Sequence, residues 1–147
     1  MTTGTATALN ATVLNLNTTG SSYANPSTYA TVIIDDTNPY AVINPYTYPA
    51  TVTTGDAGQF ATGITYSSSS KTTVTGSITQ SYQVLADTST SVLIKILTNV
   101  YNTSSVQTLQ SITSYTITTS GVITPIKLEQ YSYSVGGSTP YYLVETY

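Results

Sequence analysis

The chain has no cysteine, no histidine, no arginine and no tryptophan, and only nine of its 147 residues carry charge, three Lys and six Asp or Glu. Each absence removes a class of chemistry. Without Cys or His no zinc centre of the usual kind can be built, and neither a Ser-His-Asp triad, a Cys nucleophile nor a histidine pH switch is available. Three Lys against a net charge of −3 leave no phosphate-neutralising surface, so direct nucleic-acid binding is not expected. Disulfides are excluded, and stability must come from packing and hydrogen bonding.

Long apolar runs are also missing. The densest, Val92-Leu93-Ile94-Lys95-Ile96-Leu97, is six residues long with a Lys inside it, so no transmembrane segment is expected. The N-terminal Met1-Thr-Thr-Gly-Thr-Ala-Thr7 has neither the basic nor the apolar region of a secretory signal. A retained Met1 favours a protein that does not use that export route.

What fills the chain is hydroxyl: 32 Thr, 19 Ser and 14 Tyr. Low charge and many Val, Ile and Tyr do not match the signature of disorder, and a chain of this size suits one domain. So few titratable groups make the fold nearly indifferent to pH. Acidification would move the net charge from −3 only to about +3 or +4, and acid unfolding works chiefly through paired carboxylates.

The hydrophobic period is two. In Thr72–Leu85, Val74, Gly76, Ile78, Gln80, Tyr82 and Val84 alternate with Thr73, Thr75, Ser77, Thr79, Ser81 and Gln83. This predicts a strand with one core face and one hydroxyl face. Thr is β-branched, so the row of hydroxyls is read as a solvated strand face. Ser91–Val100 is apolar on both faces and is expected at the centre of a sandwich or under a neighbouring subunit. Thr31–Asp35, Ala8–Leu16, Tyr40–Asn44, Gln59–Tyr66, Val106–Thr118, Val122–Leu128, Tyr131–Val135 and Tyr141–Thr146 are further strands, with a bulge permitted by the three-residue spacing near Val106 and Leu109. Asn38-Pro39, Asn44-Pro45, Tyr48-Pro49, Gly55-Asp56, Ser120-Gly121 and Gly136-Gly137 mark turns or loops. The expectation is one all-β domain over residues 1–147, an antiparallel β-sandwich with a jelly roll favoured over an immunoglobulin-like topology, and residues 1–7 as a flexible arm.

Candidate sites are few. Asp35, Asp36 and Asn38 offer oxygen ligands for Ca²⁺ but lack an EF-hand's spacing, so an acidic turn is the preferred reading. No pair among the six acids is singled out by spacing, and no catalytic residue or cofactor is expected. Lys95, in mid-strand, either extends its amine to water along an apolar stem or forms an isopeptide bond with an Asn. Asn10, Asn17 and Asn102 head N-x-S/T sequons. The C-terminal tyrosines Tyr131, Tyr133, Tyr141, Tyr142 and Tyr147 are the expected assembly surface, since a tyrosine ring buries readily while its hydroxyl stays paired. Leu9, Val13, Leu14 and Leu16 could instead serve as a strand donated to another subunit.

In its Thr, Ser and Tyr richness, sparse charge, lack of Cys, and short strands joined by Asn-Pro and Gly turns, the chain resembles structural proteins of thermoacidophilic archaea and their viruses. The resemblance implies a virion capsid, turret or spike subunit of β-sandwich fold, partnered by copies of itself and by other structural subunits. A second member of that class, an extracellular or cell-surface filament subunit polymerised by N-terminal strand donation, is the alternative. A secreted carbohydrate-binding module is the remaining one.

Overall fold

The computed structural model describes residues 2–7, 13–18, 21–28, 30–35, 39–133 and 140–147, the first two segments as strand backbone. Eleven strands follow in chain order: β1 (Thr2–Thr7), β2 (Val13–Thr18), β3 (Ser21–Ala24), β4 (Thr31–Asp35), β5 (Tyr40–Ile43), β6 (Ala57–Tyr66), β7 (Val74–Ala86), β8 (Ser91–Asn102), β9 (Gln107–Thr118), β10 (Ile123–Ser132) and β11 (Tyr142–Thr146). Among the described residues there is no helix, and so none long and apolar enough to cross a membrane.

Strands β3 to β11 form one sheet in which each strand pairs antiparallel with its chain neighbour. Such a meander needs only hairpin connections, which the turn residues supply. Gly121 takes φ +84° in the β9–β10 turn, where its N–H donates to the Thr118 carbonyl, a conformation that glycine enters without steric cost. The all-β reading holds. The sandwich, and the jelly roll within it, is not what these strands show: they run sequentially through one sheet, with no Greek-key crossover between two layers.

The sheet curls. Pro39, ahead of β5, lines one cavity of about 230 Å³ together with Val100 of β8 and Leu109 of β9. In a flat sheet β5 and β9 would lie roughly 19 Å apart. The inner face of the curl carries the core as a row across five strands, with Ile43 opposite Gly63, Gly63 opposite Ile78, Ile78 opposite Val100, and Val100 opposite Leu109. Ala41 and Ala61 complete the buried cluster, and Ile34, Tyr46, Phe60 and Leu109 pack on it. Small residues at Ala41, Ala61 and Gly63 let the inner face close up, because a concave sheet has less room inside than out.

β7 shows how the alternation works. Gly76, Ile78, Gln80 and Val84 are buried on the inner face, while Ser77 and Gln83 are exposed on the outer. Val74, expected on the core face, is 51% exposed, because the ladder slips between Thr65 and Tyr66 and carries the strand end out of register. The bulge permitted near Val106 is present, as a register shift where Val100 and Tyr101 face Leu109 and Gln107. Val122–Leu128 and Tyr131–Val135, expected as two strands, join into the single β10, bent by a bulge between Pro125 and Lys127. A proline can sit there because a bulge releases one ladder hydrogen bond.

The first strands form a separate hairpin, β1 with β2, in which Thr7 lies opposite Val13 and Thr2 opposite Thr18. Residues 2–7, read from the sequence as part of an arm, are thus a paired strand. β1 lies beside β11, and two residues separate β2 from β3 at the other edge of the sheet.

Candidate functional site

The described acids occupy structural positions rather than a common cleft. Asp56 Oδ2 accepts the Thr53 N–H at 2.7 Å and closes a turn in the long loop between β5 and β6. Asp87 accepts from Ser91 Oγ at 2.5 Å across the β7–β8 turn. Asp35 is exposed at the end of β4, and its expected co-ligands Asp36 and Asn38 lie outside the described residues. Among the described residues no three His, Cys, Asp or Glu side chains come together as a metal site would require.

The densest polar cluster sits on the outer face, where the ladder brings β10 and β11 together. Lys127, Glu129 and Tyr131 alternate along β10 and so share one face, and Tyr142 pairs with Tyr131 across the strands. Lys127 Nζ lies 3.0 Å from Glu129 Oε1. Tyr142 Oη donates to that oxygen at 2.9 Å and Tyr131 Oη at 3.4 Å. The two tyrosine rings stack at 4.5 Å. Burial alone would raise the Glu129 pKa, but hydrogen bonds and charge from Lys127, with the tyrosine hydroxyls, hold it below the ordinary value. The hydrogen bond with Tyr131, then burial, then Glu129 push the Tyr142 phenol up. A carboxylate held ionised in this way staples β10 to β11.

Lys95 lies on the same outer face, opposite Gln83 on β7 and Ser114 on β9, while Lys127 opposes Ser114 from the other side. Ser114 is 4% exposed between them. Neither cross-strand neighbour of Lys95 is an Asn, and Lys95 itself is half-buried, as expected of a stem that packs while its amine reaches water.

A second cluster, of aromatics, roofs the inner face. Tyr46 and Tyr48, from the proline-marked loop after β5, meet edge to face at 5.2 Å. Both contact Phe60, at 5.2 and 5.5 Å, and Phe60 reaches Tyr82 at 6.4 Å. Tyr46 Oη accepts the Thr31 N–H at 2.9 Å and pairs with Tyr48 Oη at 3.0 Å, pinning the loop to β4. Burial, then Tyr46, push the Tyr48 phenol up. The hydroxyls are spent on the fold, as expected of tyrosines that bury the ring and keep the oxygen bonded.

Of the expected assembly tyrosines, Tyr131 and Tyr142 are half-buried in the outer-face stack. Tyr133 is 40% and Tyr147 60% exposed. Tyr147 is two residues from Glu145, which pairs opposite Leu128 on the inner side of the ladder, and its phenol is raised by burial and then by Glu145. Tyr141 is half-buried, and its carbonyl accepts the Ser132 N–H. The donor-strand residues Val13, Leu14 and Leu16 lie in β2, opposite Thr7, Ala6 and Gly4, and Leu9 lies outside the described residues. Of the sequon asparagines, Asn17 is in β2 opposite Thr3 and Asn10 is outside the described residues. Asn102 Oδ1 accepts from the N–H groups of Ser104 at 2.9 Å and Val106 at 3.0 Å, shaping the β8–β9 turn.

The sequence pattern did not mark β3. Ser21–Ala24 has no alternation of apolar and polar residues, yet it forms the outermost strand of the sheet, exposed along its whole length, with Tyr23 at 53%. The grouping of Lys127, Glu129 and Tyr131 was missed as well, because Glu129 fell between the two expected strands Val122–Leu128 and Tyr131–Val135; in the single strand β10 a period of two puts the three side chains on one face. No protein family, characterised protein or solved structure matches the chain.

Proposed function

We propose that the chain is a structural subunit acting by self-assembly, a virion capsid, turret or spike protein of a shell that resists acid and heat. The observation that carries this reading is the margin of the sheet. β3 is a neutral, fully exposed edge strand, without the Lys, Pro or inward charge that normally guards such an edge against other chains. Behind it, the outer face over β6 and β7 carries no charged side chain, with Thr62, Ser77 and Gln83 exposed, so burying that part costs little charge desolvation. Glu129 and Lys127 form the one ion pair among the described residues, which leaves little for acid to break. The single-domain antiparallel β-sandwich expected from the sequence, with a jelly roll favoured, belongs to the same proposal as the finer fold of the subunit.

Electron microscopy of the purified chain, and of particles from its source, tests this. Closed shells at acid pH are the expected result. A chain that stays monomeric at high concentration and turns over a glycan refutes it. The second reading, a filament subunit, is favoured by one feature: the β1–β2 hairpin is a separate two-stranded sheet, the kind of module that can add to a neighbour's edge. Long threads in the same micrographs would select it.

A further inference from the structure

We infer that β3 is a self-pairing edge: two copies join antiparallel through Ser21–Ala24 with Tyr23 opposite its own counterpart. This rests on the assembly reading and specifies its first contact. Of the two margins of the nine-stranded sheet, β11 has β1 beside it, whereas β3 hydrogen-bonds to β4, is the last strand of the sheet among the described residues, and has all four of its residues exposed. An extended strand is the chemistry that satisfies such a row of backbone N–H and C=O groups.

A second copy fits this edge by symmetry and charge. With a two-fold axis normal to the sheet, opposing residues must come from the same face, which requires their numbers to have an even sum. Centring the axis on Tyr23 sets Ser22 against Ala24 and Ser21 against Asn25, all neutral and small. Tyr23 is the largest side chain on the strand and 53% exposed, and it meets its own image as a cross-strand aromatic pair, a favoured combination. The nearest charge is Asp35, opposite Ser21 on β4. In the pair the two Asp35 residues sit at opposite corners, roughly 20 Å apart, beyond a Debye length of about 8 Å in physiological salt. An edge of four residues buries well under the roughly 1,200 Å² of a stable complex, so the joint is weak alone and takes effect when repeated through a many-copy assembly.

The cysteine-free background makes the test direct. Sedimentation across a concentration series is compared for the wild type, Tyr23→Lys and Tyr23→Cys, with Ser77→Cys, exposed on β7, as the cross-linking control. The expected results are a concentration-dependent dimer for the wild type and an association constant at least tenfold lower for Tyr23→Lys. On mild oxidation Tyr23→Cys, and not Ser77→Cys, should give a covalent dimer. If Tyr23→Lys associates like the wild type, or Tyr23→Cys oxidises no more than the control, the β3 joint is wrong and the assembly reading stands on other surfaces. If the wild type is monomeric at every concentration and forms no particles, both fall.

Discussion

Adding one methyl group at Gly63 should unsettle the whole inner face. A Cβ built there would lie 2.4 Å from the Val42 carbonyl oxygen, 2.9 Å from Ile78 Cγ2 and 3.0 Å from Ile43 Cα. Two of these neighbours are backbone of β5 and cannot rotate away, so the β5–β6 ladder must part at the centre of the core row. Overpacking of this kind costs about 1–3 kcal/mol. The backbone-entropy advantage of Ala over Gly returns about 0.5–1 kcal/mol at most. Because the closest clash is with backbone, Gly63→Ala should lose a net of about 2 kcal/mol, or roughly 4–8 °C in midpoint for a chain of this size. Gly58→Ala is the control, since its Cβ would meet the Tyr82 ring at an ordinary 3.4 Å and should change stability little. Urea unfolding followed by circular dichroism, with an unchanged slope, measures both. A Gly63→Ala protein as stable as the wild type would show that β5 and β6 do not approach as described, and that the curl is shallower.

Other perturbations probe separate parts of the molecule. Glu129→Gln should cost about 1–2 kcal/mol at pH 7, a modest figure because Lys127 is 35% exposed and solvent screens the pair. A carboxylate with a lowered folded pKa stabilises above its ordinary value of 4.5 and loses that contribution as pH falls through the folded value, so the gap between thermal melts of wild type and variant should be full at neutral pH and narrow as the solution is acidified below 4.5; a gap that does not narrow on acidification contradicts the assignment. Gln80 Oε1 is buried without a hydrogen-bond partner, while Nε2 donates to Thr98 Oγ1 at 3.2 Å. Gln80→Met should therefore be neutral or stabilising by up to about 1 kcal/mol, and a loss beyond that in urea titration would show that the amide is better satisfied than its geometry implies. Asn102→Ala removes an acceptor used by two turn N–H groups and should cost about 1 kcal/mol, read as a lower thermal midpoint; no change would mean that the turn holds its shape without the side chain.

Much of the strand inventory was legible because a strand side chain has only two faces. The alternation in Thr72–Leu85 and the doubly apolar Ser91–Val100 marked strands that the structure gives as β7 (Val74–Ala86) and β8 (Ser91–Asn102), and β8 pairs along its length with β7 and β9. Thr31–Asp35 was placed to the residue. β3 was missed for the same reason that the others were found: an edge strand exposed on both faces needs no apolar pattern. The aromatic roof was half visible. Asn44-Pro45 and Tyr48-Pro49 announced a loop, but nothing local says that the loop folds back so that Tyr46 bonds to Thr31, fifteen residues away. Lys127, Glu129 and Tyr131 share a face because β10 runs unbroken through Glu129, where the sequence suggested two strands, and Tyr142 joins them only through the register of β10 with β11.

The sequence alone determined an all-β chain with few charged side chains, with its core face, its hydroxyl face and most of its turns, because those depend on residue type and a period of two. Tertiary structure decided that β3 to β11 run in order through one curled sheet, that Gly63 sits where two backbones nearly touch, and that β3 is the last strand of that sheet among the described residues. Strand order and curvature depend on which strands meet across space, and alternation along a strand carries no information about its neighbours.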